Sequence, residues 1–192
     1  MKQSWKPGTV LYPLPAVLVS CGSVEHPNLF TVAWTGIVCS DPAMTYISVR
    51  PSRYSYGLIE ASGEFVLNLT TEALAFATDY CGVVSGRDTD KFAHLGLTAA
   101  PSTVVSAPSL AESPVNIECR VREKKHLGTH DMFLADIVAV QADDAYYDET
   151  GRFCFDRAHP ICYSHGQYYT LGKRLGKFGY SIQKASPKPA RR

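Results

Sequence analysis

The stretch Ser48–Ser55, SVRPSRYS, places two arginines and three serines directly after PAMTYI (Pro42–Ile47), at the end of an apolar strand. Pro51 fixes its own φ and biases Arg50 towards an extended backbone. The following YGLIEASG reads as a short helix ending at Gly63, with Ser52 placed to cap it. A strand, a cationic turn and a helix N-terminus together suit a phosphate. The first-turn amides and the Ser52 and Ser55 hydroxyls can donate to it, and Arg50 adds a permanently charged planar fork. The plainer alternative is a capped helix with surface arginines, and the local residues leave both open.

Other chemistries find less support. No glycine fingerprint for a dinucleotide follows any strand, and neither a phosphate-binding loop nor a G-x-S-x-G elbow occurs. His126 and His130 stand four apart, a metal spacing on a helix, but Gly128 between them marks a turn. No metal site is expected. The six cysteines, Cys21, Cys39, Cys81, Cys119, Cys154 and Cys162, form no C-x-x-C pair and read as free thiols.

The elements that must position this turn are mostly short strands. AVLVSC (Ala16–Cys21) is the first. Its LVSC resembles a lipoprotein cleavage site, but Pro7, Pro13 and Pro15 break the apolar run before it, and a buried strand ended by Gly22 fits better. FTVAWTGIVC (Phe30–Cys39) reads as one strand, then MTYISV, the cationic turn with its helix, and the strand EFVLNL. TTEALAFATDYCGVV predicts a helix capped by Thr70 or Thr71, and SGRDTDKFAHLG a loop and a helix capped near Asp88. Residues 99–114 read as a long connection. PVNIECRVREKKHL alternates, and DMFLADIVAVQA is apolar on both faces, which predicts cover on both sides. The last part is crowded with glycine and tyrosine and is expected to lie against another surface.

Size and charge bound the rest. The chain has 192 residues, 45% hydrophobic and 19% charged, which suits one folded domain over residues 1–183 with a basic disordered tail at 184–192. A net charge of +1 provides no global field for nucleic acid or an anionic membrane, so any anion site is local. No apolar run reaches 18 residues, and a cytoplasmic protein is expected.

Five stretches in order carry a resemblance: TVAWTGIVCSDPAMTYISVRPSRYS, DYCGVVSGRDTDKF, PVNIEC, GTHDMFLADIVAV and YSHGQYYTLGKRLGKFGYS. Together they resemble the flavin reductase-like, FMN-binding split-barrel family, in the branch named after flavoredoxin, from about Tyr12 to Ser181. The resemblance implies a mainly β fold with flanking helices (α+β), a split β-barrel of Greek-key type. It also implies a homodimer with FMN at the interface. Arg50 and Ser52 would then bind the phosphate, with Ser48 and Val49 lining the approach. Thr31, Val32, Ala33 and Trp34 would run beside the ring, with Asn28, Ser55, Lys91, His130 and Tyr163 near it. Ser85 would sit in a closing loop, and Cys39 joins the cofactor-binding set where relatives often carry a polar side chain. Lys91 and His130 are the expected catalytic side chains. The implied activity is NAD(P)H-dependent flavin reduction, using NADH or NADPH and an electron acceptor the sequence does not name. A flavoredoxin-type electron carrier reduced by a protein partner is the alternative.

Overall fold

The computed structural model describes residues 1–182; the tail expected at 184–192 lies outside the described residues. In chain order the strands begin with β1 (Leu14–Pro15), β2 (Val17–Gly22), β3 (Pro27–Val32), β4 (Thr35–Ser40) and β5 (Ala43–Val49). Helix α1 (Tyr54–Ser62) and β6 (Glu64–Leu69) follow, then α2 (Ala75–Val83) and the short α3 (Lys91–Leu95). β7 (Ala99–Ala100), β8 (Ser109–Leu110), β9 (Val115–His126), β10 (Asp131–Ala142), β11 (Ile161–Ser164) and β12 (Gln167–Thr170) complete the set.

Seven strands form one antiparallel sheet in the order β3-β2-β6-β9-β10-β5-β4. β6 follows β5 in the chain yet pairs with β2 and β9, and the sheet is knitted in this Greek-key manner by distant segments. The sheet curls on itself into a split barrel. β3, at one edge, leads through a two-residue bend into β4 at the other, and the Ser48 N–H donates to the Trp34 carbonyl at 2.9 Å in that bend.

Alternation along the strands decides which side chains fill the barrel. Val17, Val19 and Cys21 of β2, Phe30 and Val32 of β3, Phe65 and Leu67 of β6, and Phe133 and Ala135 of β10 share one buried cluster with Ile59 of α1. The opposite face of β2 and β3 presents Leu18 and Leu29 to Leu74, Ala77, Cys81 and Phe92, so α2 and α3 cover that side. Cys21 is fully buried within β2, and all six cysteines are free thiols. The described residues include no helix long and apolar enough to cross a membrane.

Several local expectations need correction. Phe30–Cys39 is not one strand: the pairing stops after Val32 and restarts at Thr35, leaving Ala33 and Trp34 in the bend. The period-two pattern runs through that bend, so periodicity alone missed it. Arg53, not Ser52, is the N-cap residue of α1, and no side chain caps that helix. Thr71 likewise caps only by position, because the chain enters α2 through a short 3-10 turn at Glu72–Leu74. Asp90 rather than Asp88 caps α3, its carboxylate accepting from the Ala93 N–H at 3.0 Å. β10 is not covered on both sides throughout, since Val140 near its end is exposed.

The connection 99–114 is pinned by Glu118. This carboxylate is fully buried and accepts from the N–H groups of Thr103, Val104 and Val105, the Thr103 hydroxyl and the Gln141 amide. Burial pushes its pKa up, but these donors outweigh it and hold the group at about 2. No cation pairs with it among the described residues.

Candidate functional site

The bend between β3 and β4, the end of β5, the α1 N-terminus and α2 surround a cleft with two adjoining lobes. The first has a volume of about 450 Å³ and the second about 520 Å³. They share Phe30, Thr31, Arg50, Arg53 and Gly82 along their common border. Each falls in the size range of a small-molecule site.

The first lobe is lined by apolar and aromatic side chains together with polar ones. Thr31, Val32, Ala33 and Trp34 form one side, with Ser48 and Val49 of β5 beside them. Trp34 is held by the ring of His130, whose centroid lies 4.4 Å away at a tilt of 42°. Burial, and then the charge of Arg50, push the His130 pKa down, so its neutral imidazole is favoured against the lobe. Thr129 Oγ1 lies 2.9 Å from His130 Nδ1. Across the lobe stand Tyr12, Tyr163 and Tyr168 with Asp79 of α2. Tyr163 and Tyr168 face each other across β11 and β12, ring centroids 5.6 Å apart. Burial, with Asp79 beside it, pushes the Tyr168 hydroxyl up to about 12, so it stays a donor.

The second lobe is cationic. Arg50, Arg53, Arg87 and Lys91 line it against the single carboxylate of Asp88. Ser52, Ser55 and Ser85 add hydroxyls. Neither Arg50 nor Arg53 forms an ion pair among the described residues. No side chain caps the nine-residue α1; the Tyr56 N–H is taken by the Arg53 carbonyl at 3.0 Å, which leaves the Tyr54 and Ser55 amides for an anion.

Lys91 is the most telling group. It opens α3 but is only 3% exposed, not a solvated helix lysine. Its ammonium donates to the Cys81 carbonyl at 3.3 Å and meets no carboxylate among the described residues. Burial pushes its pKa down. An unpaired buried ammonium costs several kcal/mol. An anion in the second lobe would offset that cost.

Most of the sequence-predicted residues therefore converge. Thr31, Val32, Ala33, Trp34, Ser48, Val49, Arg50, His130 and Tyr163 line the first lobe, and Ser52, Ser55, Ser85 and Lys91 the second. Asn28 does not line either. It sits behind the second lobe, 6% exposed, donating to Ser55 Oγ at 2.7 Å and so orienting that hydroxyl. It also abuts Gly86, where an added Cβ would lie 1.8 Å from Asn28 Oδ1. Cys39 is not brought to the cleft: it lies on the outer edge strand β4, its thiol 3.3 Å from the Asp41 carbonyl. Sequence reasoning missed Arg53, Phe30, Gly82, Asp79, Tyr12 and Tyr168. Arg53 carried a signal, a second arginine in the same turn, and Phe30 directly precedes the named Thr31; Tyr12, Asp79 and Gly82 lie far from both in the chain.

The residues present fit a flavin mononucleotide. The apolar, aromatic lobe matches a flat ring system, and the adjoining lobe holds more cations than its own carboxylate neutralises. Comparison with known proteins agrees with this geometry. The solved flavoredoxin of Desulfovibrio vulgaris (Miyazaki F) superposes with a TM-score of 0.87 at 31% identity, over 95% of this chain and 100% of that one. A flavoredoxin from Methanosarcina acetivorans gives 0.85 at 27% identity over the same shares. An uncharacterised protein of Archaeoglobus fulgidus is 36% identical over 138 residues, 72% of this chain and 77% of its own length. A sequence model of the flavin reductase like domain matches residues 9–172, which takes in both lobes of the cleft, and this chain belongs to that family.

Proposed function

We propose that this protein binds FMN and is an NAD(P)H-dependent flavin reductase. The observation that carries the reading is the buried, carboxylate-free Lys91 beside an uncapped helix N-terminus and two unpaired arginines, all adjoining the Trp34-walled lobe. Bound FMN would supply the chemistry of taking hydride from NADH or NADPH and passing electrons to an acceptor. Arg50, Arg53, Ser52 and the first amides of α1 hold the phosphate. Thr31–Trp34 and Tyr163 line the ring lobe, and His130 braces Trp34. Lys91 lines the second lobe only, and its charge favours negative charge placed there. The nicotinamide needs no fold of its own, only the open side of the first lobe.

The likeness to flavoredoxins supports a second reading, an electron carrier reduced by a protein partner. In either reading the protein works as a homodimer. Exposed apolar side chains at Leu171, Leu175, Phe178 and Tyr180 suit an interface close to the cleft.

Two measurements test the proposal. The purified protein should be yellow, or turn so on adding FMN, and heating should release FMN. Anaerobic NADH or NADPH should then bleach it at a rate that saturates with nicotinamide concentration. Protein that neither contains nor takes up FMN rejects the cofactor. Protein that bleaches with dithionite but with neither nicotinamide is a carrier and not a reductase.

A further inference from the structure

Asp131 opens β10 and is only 5% exposed. Its Oδ2 accepts from the Tyr56 hydroxyl at 2.6 Å, and its Oδ1 lies 2.7 Å from His126 Nδ1. The Tyr56 bond, and after it His126, hold the carboxyl below its usual pKa, so it remains an acceptor. Neither lobe of the cleft is lined by Asp131. His130, the residue before it, lines the first lobe, and Ser55, the residue before its partner Tyr56, lines the second.

On one side, Tyr56 sits in the first turn of α1, its N–H bonded to the Arg53 carbonyl at 3.0 Å. That turn carries Arg53 and Ser55 of the cationic lobe. On the other, Asp131 follows His130, whose ring packs at a tilt against Trp34. The hairpin tip is closed by Leu127 N–H to the His130 carbonyl at 2.9 Å, with Gly128 at a φ of 97° that favours glycine. Asp131 also pairs in register with Val49, directly before Arg50. The Glu60–Lys124 ion pair joins the same helix and hairpin, but it is exposed and contributes little. The Tyr56–Asp131 hydrogen bond is the part-buried polar link between them among the described residues.

We propose that Asp131, acting through Tyr56, is a positioning residue that fixes the phosphate-binding turn relative to the Trp34–His130 wall, so that one mononucleotide spans both lobes. This rests on the FMN reading above. A ligand that uses both lobes feels the spacing; a ligand that uses the ring lobe alone does not.

The test titrates FMN and riboflavin into wild type, Tyr56→Phe, Asp131→Asn and Asp131→Ala, with fluorescence as the readout. Tyr56→Phe keeps the ring that packs edge-on against Phe133 at 5.3 Å, so it decides the matter even where Asp131→Ala fails to fold. Tyr56→Phe and Asp131→Ala should weaken FMN about ten-fold, the worth of a hydrogen bond to a charged group, and riboflavin less than about two-fold. Asp131→Asn retains an acceptor for the hydroxyl and should stay within about three-fold of wild type. Equal losses for both flavins mean a merely structural role, and no loss means none; either overturns the inference. An Asp131→Asn protein as weak as Tyr56→Phe overturns it too. Wild type that binds neither flavin rejects the FMN reading itself, and this inference with it.

Discussion

Lys91 Nζ lies 3.3 Å from the carbonyl oxygen of Cys81, and this bond ties the start of α3 to the last turn of α2 across the cationic lobe. One neutral carbonyl does not neutralise an ammonium that is 3% exposed. The charge is therefore available to a ligand. Replacing it by methionine removes a buried charge and keeps the bulk. Lys91→Met should weaken FMN more than riboflavin, because the charge lines the lobe assigned to the phosphate. Titration of both ligands into both proteins measures this, and equal losses would remove Lys91 from the phosphate site.

Arg50 sits at the border of the two lobes and has no ion-pair partner among the described residues. Charge-assisted hydrogen bonds are worth about 1.5–3 kcal/mol. Arg50→Ala should lower FMN affinity roughly ten- to a hundred-fold, with riboflavin much less affected for want of a phosphate. Titration of both ligands checks it; parallel losses would mean that Arg50 does not meet the phosphate.

Glu118 links stability to pH. Its folded pKa of about 2 lies below the value of about 4.3 for an unfolded glutamate. Its contribution is then full above about pH 5 and fades as pH falls towards the folded value. Glu118→Gln keeps the shape but turns an amide donor towards backbone N–H groups, at a cost of about 1–3 kcal/mol. Urea unfolding should show that deficit at pH 7 and a narrower gap near pH 3. A gap that holds constant would refute the carboxylate's role.

Homodimer formation should be visible by light scattering at micromolar concentration, as twice the chain mass. The exposed Leu175 and Phe178 lie past β12, which carries Tyr168 of the cleft, so truncation after Gly172 should weaken both assembly and FMN binding. A monomer that holds FMN as tightly as the full chain would separate the cofactor site from the interface.

How much of this was legible beforehand depended on whether the signal was local. The strands β2, β6, β9 and β10, the helices and the cationic turn each show in their own residues, because alternation, apolar spacing and turn chemistry act over a few positions. Arg50, Ser52 and Ser55 stood out for that reason, and the ordered motifs placed Trp34, Lys91 and His130 beside them. The bend at Ala33–Trp34 was hidden, since a period of two names a face and is silent on where the ladder stops. Cys39, named through the resemblance alone, lines neither lobe. Only the closed sheet decided that Asp79, Tyr12 and Tyr168 meet across one lobe, that Lys91 is buried, and that Tyr56 reaches Asp131, 75 residues on. Those contacts follow from pairing between distant strands, where β10 lies between β9 and β5, and no short window of sequence contains both partners.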